Sequence, residues 1–124
     1  MGNAAFEITA RSEFVHVELV PGFEISLDSM RGMWRDVPPI CEQRNALRVL
    51  VEGNRPTRSM RKIEAFEHGR IVADLYLRGF RVAFCLYEYQ PDQLSHLFTT
   101  VASGGFNSAR FFSNLDESMR WLRI

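Results

Sequence analysis

Apolar residues occupy every second position from Phe6 to Ala10 and again from Val15 to Leu19. A period of two residues is typical of strands that bury one face and expose the other. The polar segment at residues 11–13 separates the two runs and is short enough to form a turn. We therefore predict that the chain opens with a β-hairpin.

A helical pattern follows this hairpin. Apolar residues recur at i, i+3, i+4 and i+7, which is the spacing of one helix face: Met30, Met33, Trp34 and Val37. Asp28 is the predicted N-cap of the helix. Because Pro38 and Pro39 have no N–H group and Pro38 restricts the residue before it, we expect the helix to kink or restart before Ile40.

Central strands are predicted at two almost continuously apolar runs, residues 47–51 and 80–86. The segment 57–77 between them is helical in pattern and has the length of a right-handed crossover. Residues 94–102 predict another helix, and a last strand and helix close the chain. The order ββαβαβαβα predicts an α/β fold with a mixed, mostly parallel sheet, an N-terminal hairpin and about four helices.

The composition is that of an ordinary globular protein. The chain has 124 residues, of which 46% are hydrophobic and 24% are charged, and its formal net charge is zero. This length predicts one domain over residues 1–124. A neutral charge balance argues against nucleic-acid binding, which needs an excess of Lys and Arg. The apolar runs are too short to cross a bilayer, so no integral membrane segment is expected.

The two cysteines, Cys41 and Cys85, lie far apart in the sequence and form no CxxC pair. Buried, reduced cysteines of this kind are typical of proteins in the cytoplasm. The N-terminal segment contains Glu7 and lacks the apolar stretch of a secretory signal. We therefore expect a cytoplasmic protein without disulfides.

Signatures of catalysis are missing from the sequence. It contains no GxSxG elbow, phosphate-binding P-loop, GxGxxG or HExxH motif. His16, His68 and His96 fall on three different predicted elements, and no spacing brings two of them to one metal ion. We expect no enzymatic activity, no metal and no cofactor.

A basic segment follows the first central strand, at the expected start of the next helix. No acidic residue lies between Glu52 and Glu64, whereas four basic residues do: Arg55, Arg58, Arg61 and Lys62. Ligands of open α/β sheets collect at the carboxyl ends of strands, and helix N-termini favour anions. Two interpretations stay open: a solvated basic turn, which is the commoner role of such a run, or an anion-binding site.

The helix predicted after this turn has charges within its apolar face. Glu67, Arg70 and Asp74 fall in the same arc of a helical wheel as Ile63 and Phe66. One explanation is a break in the helix. The other is a face covered by a second copy of the protein across a two-fold axis, with the charges paired at i,i+3 and i,i+4 spacing. We favour this homodimer interface.

The last segment carries a family resemblance. It runs from Arg110 through Phe111-Phe112, an acidic turn and a final helix to Trp121-Leu122. This ending, the predicted element order and the Gly79-Phe80-Arg81-Val82 segment resemble the STAS-like domains, specifically the small bacterial SpoIIAA-like proteins. The resemblance spans nearly the whole chain and implies a single STAS-like domain with a non-enzymatic role.

The resemblance also points to one turn. In the anti-sigma-factor antagonists of this group, a Ser of an Asp-Ser-Ser-Gly motif after the central strand is phosphorylated, and this releases a partner. The chain has Thr57 and Ser59 at that place, but the Asp and the Gly of the motif are absent. The resemblance therefore implies a phospho-switch turn whose motif is incomplete here.

Two functional hypotheses follow. The favoured one is a non-catalytic regulatory or protein-interaction domain, homodimeric, with a regulatory protein as a further partner. The alternative is a carrier or sensor that binds a small anionic or lipid-like ligand at the strand carboxyl ends, because Met and aromatic side chains such as Met30, Met33 and Trp34 can line an apolar pocket.

Overall fold

The computed structural model describes residues 5–124. Seven strands and four helices follow one another along this part of the chain: β1 (Phe6–Ala10), β2 (Val15–Leu19), β3 (Glu24–Ile25), α1 (Leu27–Arg44), β4 (Arg48–Asn54), β5 (Thr57–Arg58), α2 (Lys62–Ala73), β6 (Arg81–Tyr87), α3 (Gln93–Ala102), β7 (Ser108–Phe112) and α4 (Leu115–Leu122). Apart from the two-residue strands β3 and β5, this is the predicted ββαβαβαβα order.

The main sheet has the strand order β1-β2-β4-β6-β7. Strands β1 and β2 pair antiparallel as the predicted hairpin, with Ile8 opposite Val17. All other neighbours in this sheet pair parallel, so that Val49 of β4 lies opposite Val15 on one side and Val82 on the other. The prediction of a mixed, mostly parallel sheet is confirmed.

The two faces of the sheet carry different cores. Alternate residues of β4 divide between them, because Val49 and Val51 belong to the larger core with α1, α2 and α3, whereas Leu50 belongs to a smaller one under α4. The predicted apolar face of α1 lies in the larger core, where Met33 and Val37 are fully buried. Helix α4 packs on β4, β6 and β7. Among residues 5–124, no helix combines the length and the apolar character needed to cross a membrane.

Helix α1 differs from the prediction at its N-cap and at its two prolines. Its N-cap is Ser26, because Ser26 and Ser29 each accept a hydrogen bond from the backbone N–H of the other, at 3.1 and 2.9 Å. Asp28 lies in the first turn instead. The helix also does not restart at Pro38. Its buried face continues at helical spacing from Trp34 to Cys41, and the burial of these side chains outweighs the loss of two backbone hydrogen bonds.

The helix predicted over residues 57–77 is shorter. Residues Thr57–Arg58 form β5 beside β3, with the Thr57 N–H donating to Phe23 O and the Ser59 N–H to Ile25 O, both at 2.9 Å. Helix α2 begins only at Lys62. The distant strand β3 supplies these backbone partners, which local periodicity does not reveal.

Helices α2 and α3 approach each other closely at Gly69. A Cβ atom there would lie 2.7 Å from Val101 Cβ and 3.0 Å from Phe98 O. These distances are shorter than van der Waals contact, so only glycine allows the observed helix separation. The interior of the larger core therefore depends on a residue that is normally unfavourable within a helix.

We predict that Gly69→Ala lowers the free energy of unfolding by about 1–3 kcal/mol, because the extra methyl group must push α3 away. The matched control is Gly32→Ala in α1, where the nearest atom is Arg35 Nη2 at 4.0 Å. That change should stabilise the protein by about 0.5–1 kcal/mol through helix propensity. Urea unfolding of both variants tests the pair, and equal effects would contradict the packing argument.

Candidate functional site at the carboxyl edge of the sheet

Two neighbouring central strands end in unusual backbone. The residues after the β4–β6 pair Asn54 and Tyr87 are Arg55 and Glu88, with φ angles of 52° and 53°. Left-handed backbone costs a non-glycine residue about 1 kcal/mol or more. The two residues are joined, since Arg55 Nε donates to Glu88 Oε2 at 2.8 Å and the Arg55 N–H donates to Tyr87 O at 2.9 Å. These contacts set the shape of the edge.

Arg58 forms a two-pronged ion pair beside this point. Its Nη1 and Nη2 atoms lie 2.5 Å from the two carboxylate oxygens of Asp92, the N-cap of α3. Asp92 also accepts from the backbone N–H groups of Leu94 and Ser95, at 3.1 and 3.2 Å. The hydrogen bonds from Arg58 are the main cause that lowers the pKa of Asp92 far below its usual value. This pair ties β5 to α3.

The third arginine of the turn is paired as well. Arg61 donates to Glu64 Oε1 from its backbone N–H at 2.8 Å and from Nε at 3.2 Å. The backbone N–H of Arg61 is the main cause that lowers the pKa of Glu64. The first turn of α2 therefore carries its own carboxylate, and the adjacent Lys62 is exposed.

The predicted basic turn is consequently a set of ion pairs. Arg55, Arg58 and Arg61 each meet a carboxylate, two of which come from the β6–α3 connection more than thirty residues later. Sequence reasoning missed Glu88 and Asp92 because it looked only at neighbours along the chain. The parallel pairing of β4 with β6, which was predicted, is the signal that could have found them. An anion site or phospho-switch at this turn stays a prediction.

The two hydroxyl groups of the turn are accessible. Thr57 and Ser59 are exposed, and Ser59 lines a surface cleft of about 450 Å³ between the start of α1 and the start of α2. The cleft carries charges of both signs, including Arg31, Asp28 and Glu64. A phosphate on Ser59 would enter a mixed charge environment.

An apolar cleft lies next to Arg58. Arg58, Tyr89 and Ser95 form its polar rim, and its walls are largely aromatic and aliphatic: Phe84, Phe98, Phe111, Leu94 and Met60. The space inside is about 20 Å³. This volume holds about one water molecule.

His68 also lines this cleft, as a neutral group. Its Nε2 accepts a hydrogen bond from Trp34 Nε1 at 2.9 Å, and its ring stacks on Phe98 with a centroid distance of 4.0 Å. Burial lowers the pKa of His68 to about 3. The bond from Trp34 places the imidazole proton on Nδ1. Sequence reasoning treated His68 as dispersed and did not find this pair.

A second polar cluster lies on the opposite face of the sheet. One carboxylate oxygen of Glu52 accepts a hydrogen bond from the Tyr87 hydroxyl at 2.5 Å. The other oxygen lies 2.8 Å from His16 Nε2. Burial, together with contacts to Cys85 and Glu52, raises the pKa of Tyr87, so its phenol stays protonated. The alternation of β2, β4 and β6 places these residues on one face, and this signal could have identified the cluster from sequence. Cys85 itself is fully buried.

The predicted dimer face of α2 is exposed. Ile63 and Phe66 are 54% and 43% accessible, whereas the opposite side of the helix, including Ala65 and Val72, is buried. The predicted Arg70–Asp74 pair is present at 3.1 Å. Glu67 does not pair with Arg70 as predicted, because Arg31 of α1 reaches it at 3.2 Å.

Comparison of the chain with models of protein families, with curated proteins and with solved structures found no match. The observed α/β topology therefore stands on the structure alone. The resemblance to STAS-like domains remains a prediction from the sequence.

We predict that the buried, neutral His68 makes stability depend on pH. The unfolded chain binds a proton at this side chain near its ordinary pKa of about 6.5, but the folded chain does so only near 3. Stability is therefore lost as the pH falls below about 6.5, at about 1.4 kcal/mol per pH unit. Because of this group, the free energy of unfolding measured with urea should be about 2 kcal/mol lower at pH 5 than at pH 7.

The matched variants are His68→Gln, which removes the titration, and His96→Gln, which changes an exposed histidine of α3. Only the first should flatten the pH dependence. The lowered pKa of Asp92 stabilises the protein above its unfolded pKa of about 3.9, and this stability is lost only below that pH, outside this window. An unchanged slope in His68→Gln would contradict the assignment.

Proposed function

We propose that this chain is a non-catalytic regulatory or protein-interaction domain that forms a homodimer through α2. The observation that carries the proposal is the exposure of Ile63 and Phe66 on a helix whose other side is packed in the core. Because each of these side chains is about half exposed, burying the remainder would contribute about 1 kcal/mol for each of them. A second copy of the same surface would bury them.

The charges on this face suit a two-fold arrangement. Arg70 and Asp74 neutralise each other within α2. In an antiparallel contact between two copies of α2 that brings Ile63 of each copy near Phe66 of the other, the neutralised Arg70–Asp74 pairs would lie at the rim, where water still reaches them. A self-complementary pattern of this kind is what an isologous interface requires.

The turn before α2 is the proposed regulatory element. Only Ser59–Arg61 separate β5 from the first residue of α2, so a change at Thr57 or Ser59 is transmitted to the helix over a short distance. A phosphate there would compete with Asp92 for Arg58 or with Glu64 for Arg61. Such a rearrangement would alter the start of the dimer helix.

The chemistry of the described clusters supports a non-catalytic role. Tyr87 keeps its proton, Cys85 is fully buried and His68 is held neutral within the core. A nucleophile needs both access to substrate and a base that can take its proton. None of these three side chains combines the two.

We predict that Phe66→Glu converts a dimer into a monomer, because a buried carboxylate without a partner is unfavourable at an interface. The matched control is Leu115→Glu, which changes an exposed apolar residue of α4 on the other face of the sheet. Sedimentation velocity at about 20 µM, where interfaces of ordinary size are occupied, measures both. A wild-type protein that sediments as a monomer would overturn the homodimer.

A second candidate function is a carrier or sensor for a lipid-like ligand. The observation that favours it is the apolar cleft next to Arg58, where the hydroxyl groups of Tyr89 and Ser95 could donate hydrogen bonds to a polar head group. Its space of about 20 Å³ must widen before an acyl chain enters, and the flexible side chain of Met60 on its wall is the element that could move.

We predict for this candidate that a medium-chain fatty acid binds and that Phe111→Trp, which fills the cleft, weakens binding at least about tenfold. Phe106→Trp is the control, since Phe106 is 72% exposed and does not line this cleft. Native mass spectrometry of the delipidated protein reports the complex directly. Equal binding by both variants would exclude the cleft as the site.

A further inference from the structure

Two arginines of the sheet bond to the last turn of α4, at the sheet edge opposite to the ion-paired turn, and a third arginine is the C-cap of this helix. Arg48 and Arg81 are Cα partners at the starts of β4 and β6. Arg48 Nε donates to Leu122 O at 2.9 Å, and Arg81 Nη1 donates to Trp121 O at 2.6 Å. Arg123 follows directly as the C-cap of the same helix.

The side chains of Arg48 and Arg81 are held in place. A second bond from Arg48 Nη1 to Gly79 O at 3.2 Å adds to the one on Leu122. The Arg81 guanidinium lies over the Trp121 ring at 5.0 Å from its centroid. Because the carbonyl bonds use only part of the donors, the Arg81 Nε and the Nη2 atoms of both arginines keep N–H groups for another acceptor.

In the described part of the chain, the arginines of this cluster are without the carboxylate partners found at the other edge. Within residues 5–124, Arg48, Arg81 and Arg123 form no ion pair, in contrast to Arg55 and Arg58 at the other edge. Repulsion by Arg123 and Arg48 contributes, after burial, to lowering the pKa of Arg81. The positive charges are close enough to oppose each other.

Capping of α4 explains only part of the arrangement. The carboxyl end of a helix carries about half a negative charge and is satisfied by one cation or by backbone N–H groups. The cap residue Arg123 already supplies a backbone N–H to Arg120 O at 3.0 Å. Three guanidinium groups therefore exceed the need of the helix by more than two charges.

We propose that Arg48, Arg81 and Arg123 form a binding site for the phosphate group of a small molecule or for inorganic phosphate. A phosphate dianion offers several acceptor oxygens, matches the planar fork of arginine and offsets most of the excess charge. The site is separate from the predicted turn at Arg55 and Ser59, where the arginines already hold carboxylates.

Titration with inorganic phosphate tests the site, with sodium chloride of equal ionic strength as the reference. The backbone amides of Arg81, Leu122 and Arg123 and the Nε–H signals of Arg48 and Arg81 should shift in a saturable way. Arg123→Gln leaves the carbonyl bonds of the other two arginines in place and should weaken binding at least about fivefold. Arg35→Gln, which changes an exposed arginine of α1 outside the described sites, should leave the affinity unchanged.

A second titration with glycerol 3-phosphate separates the sources of the group. Tighter binding of the ester than of inorganic phosphate supports a phosphorylated small molecule, and equal binding supports the free anion. Chloride-like shifts without saturation overturn the site. Shifts centred on Arg55, Arg58 and Ser59, or an Arg123→Gln variant that binds as well as wild type while remaining folded, also overturn it.

Discussion

The hydrogen bond from Trp34 to His68 holds the helical layer together. It joins α1 to α2, and the stacking of His68 on Phe98 adds α3 to the same contact. A buried indole N–H without an acceptor costs about 1–3 kcal/mol, so the neutral imidazole is the partner that permits a tryptophan at this depth. Gly69, the next residue, allows α3 to come near enough for the ring stacking. The position of the α2 surface that we propose for dimerisation depends on this junction.

Charge is distributed unevenly between the two edges of the sheet. At the carboxyl edge, Arg55 and Arg58 each hold a carboxylate from the β6–α3 connection, which fixes the loops but leaves little net charge. At the amino edge, the arginines around α4 bond to backbone carbonyls and keep their charge. The net charge is zero, but the positive charge is concentrated at the amino edge of the sheet. The position of the arginines in the fold, more than their number, determines where an anion is attracted.

Periodicity predicted the parts of the fold that depend on local pattern. The hairpin, the two central strands and the buried face of α1 follow from alternation and helical spacing, and the structure confirms them. The errors at Asp28 and at residues 57–61 concern the starts of helices, where a serine pair and a distant strand compete with the local signal. Contacts such as Arg58–Asp92 and Glu52–Tyr87 join residues about 35 positions apart. They become visible only when the register of the parallel strands is known.

The two prolines within α1 separate two parts of the helix that are anchored differently. Pro38 and Pro39 carry no amide proton, so the carbonyl groups of Trp34 and Arg35 lack their usual helical donors. The first half of α1 is held by Met30, Met33 and Trp34 in the core, whereas the last turn is anchored by Cys41 and is otherwise exposed from Glu42 to Asn45. The end of the helix can therefore open without the rest, and amide hydrogen exchange along α1 would fall into two classes on either side of the prolines.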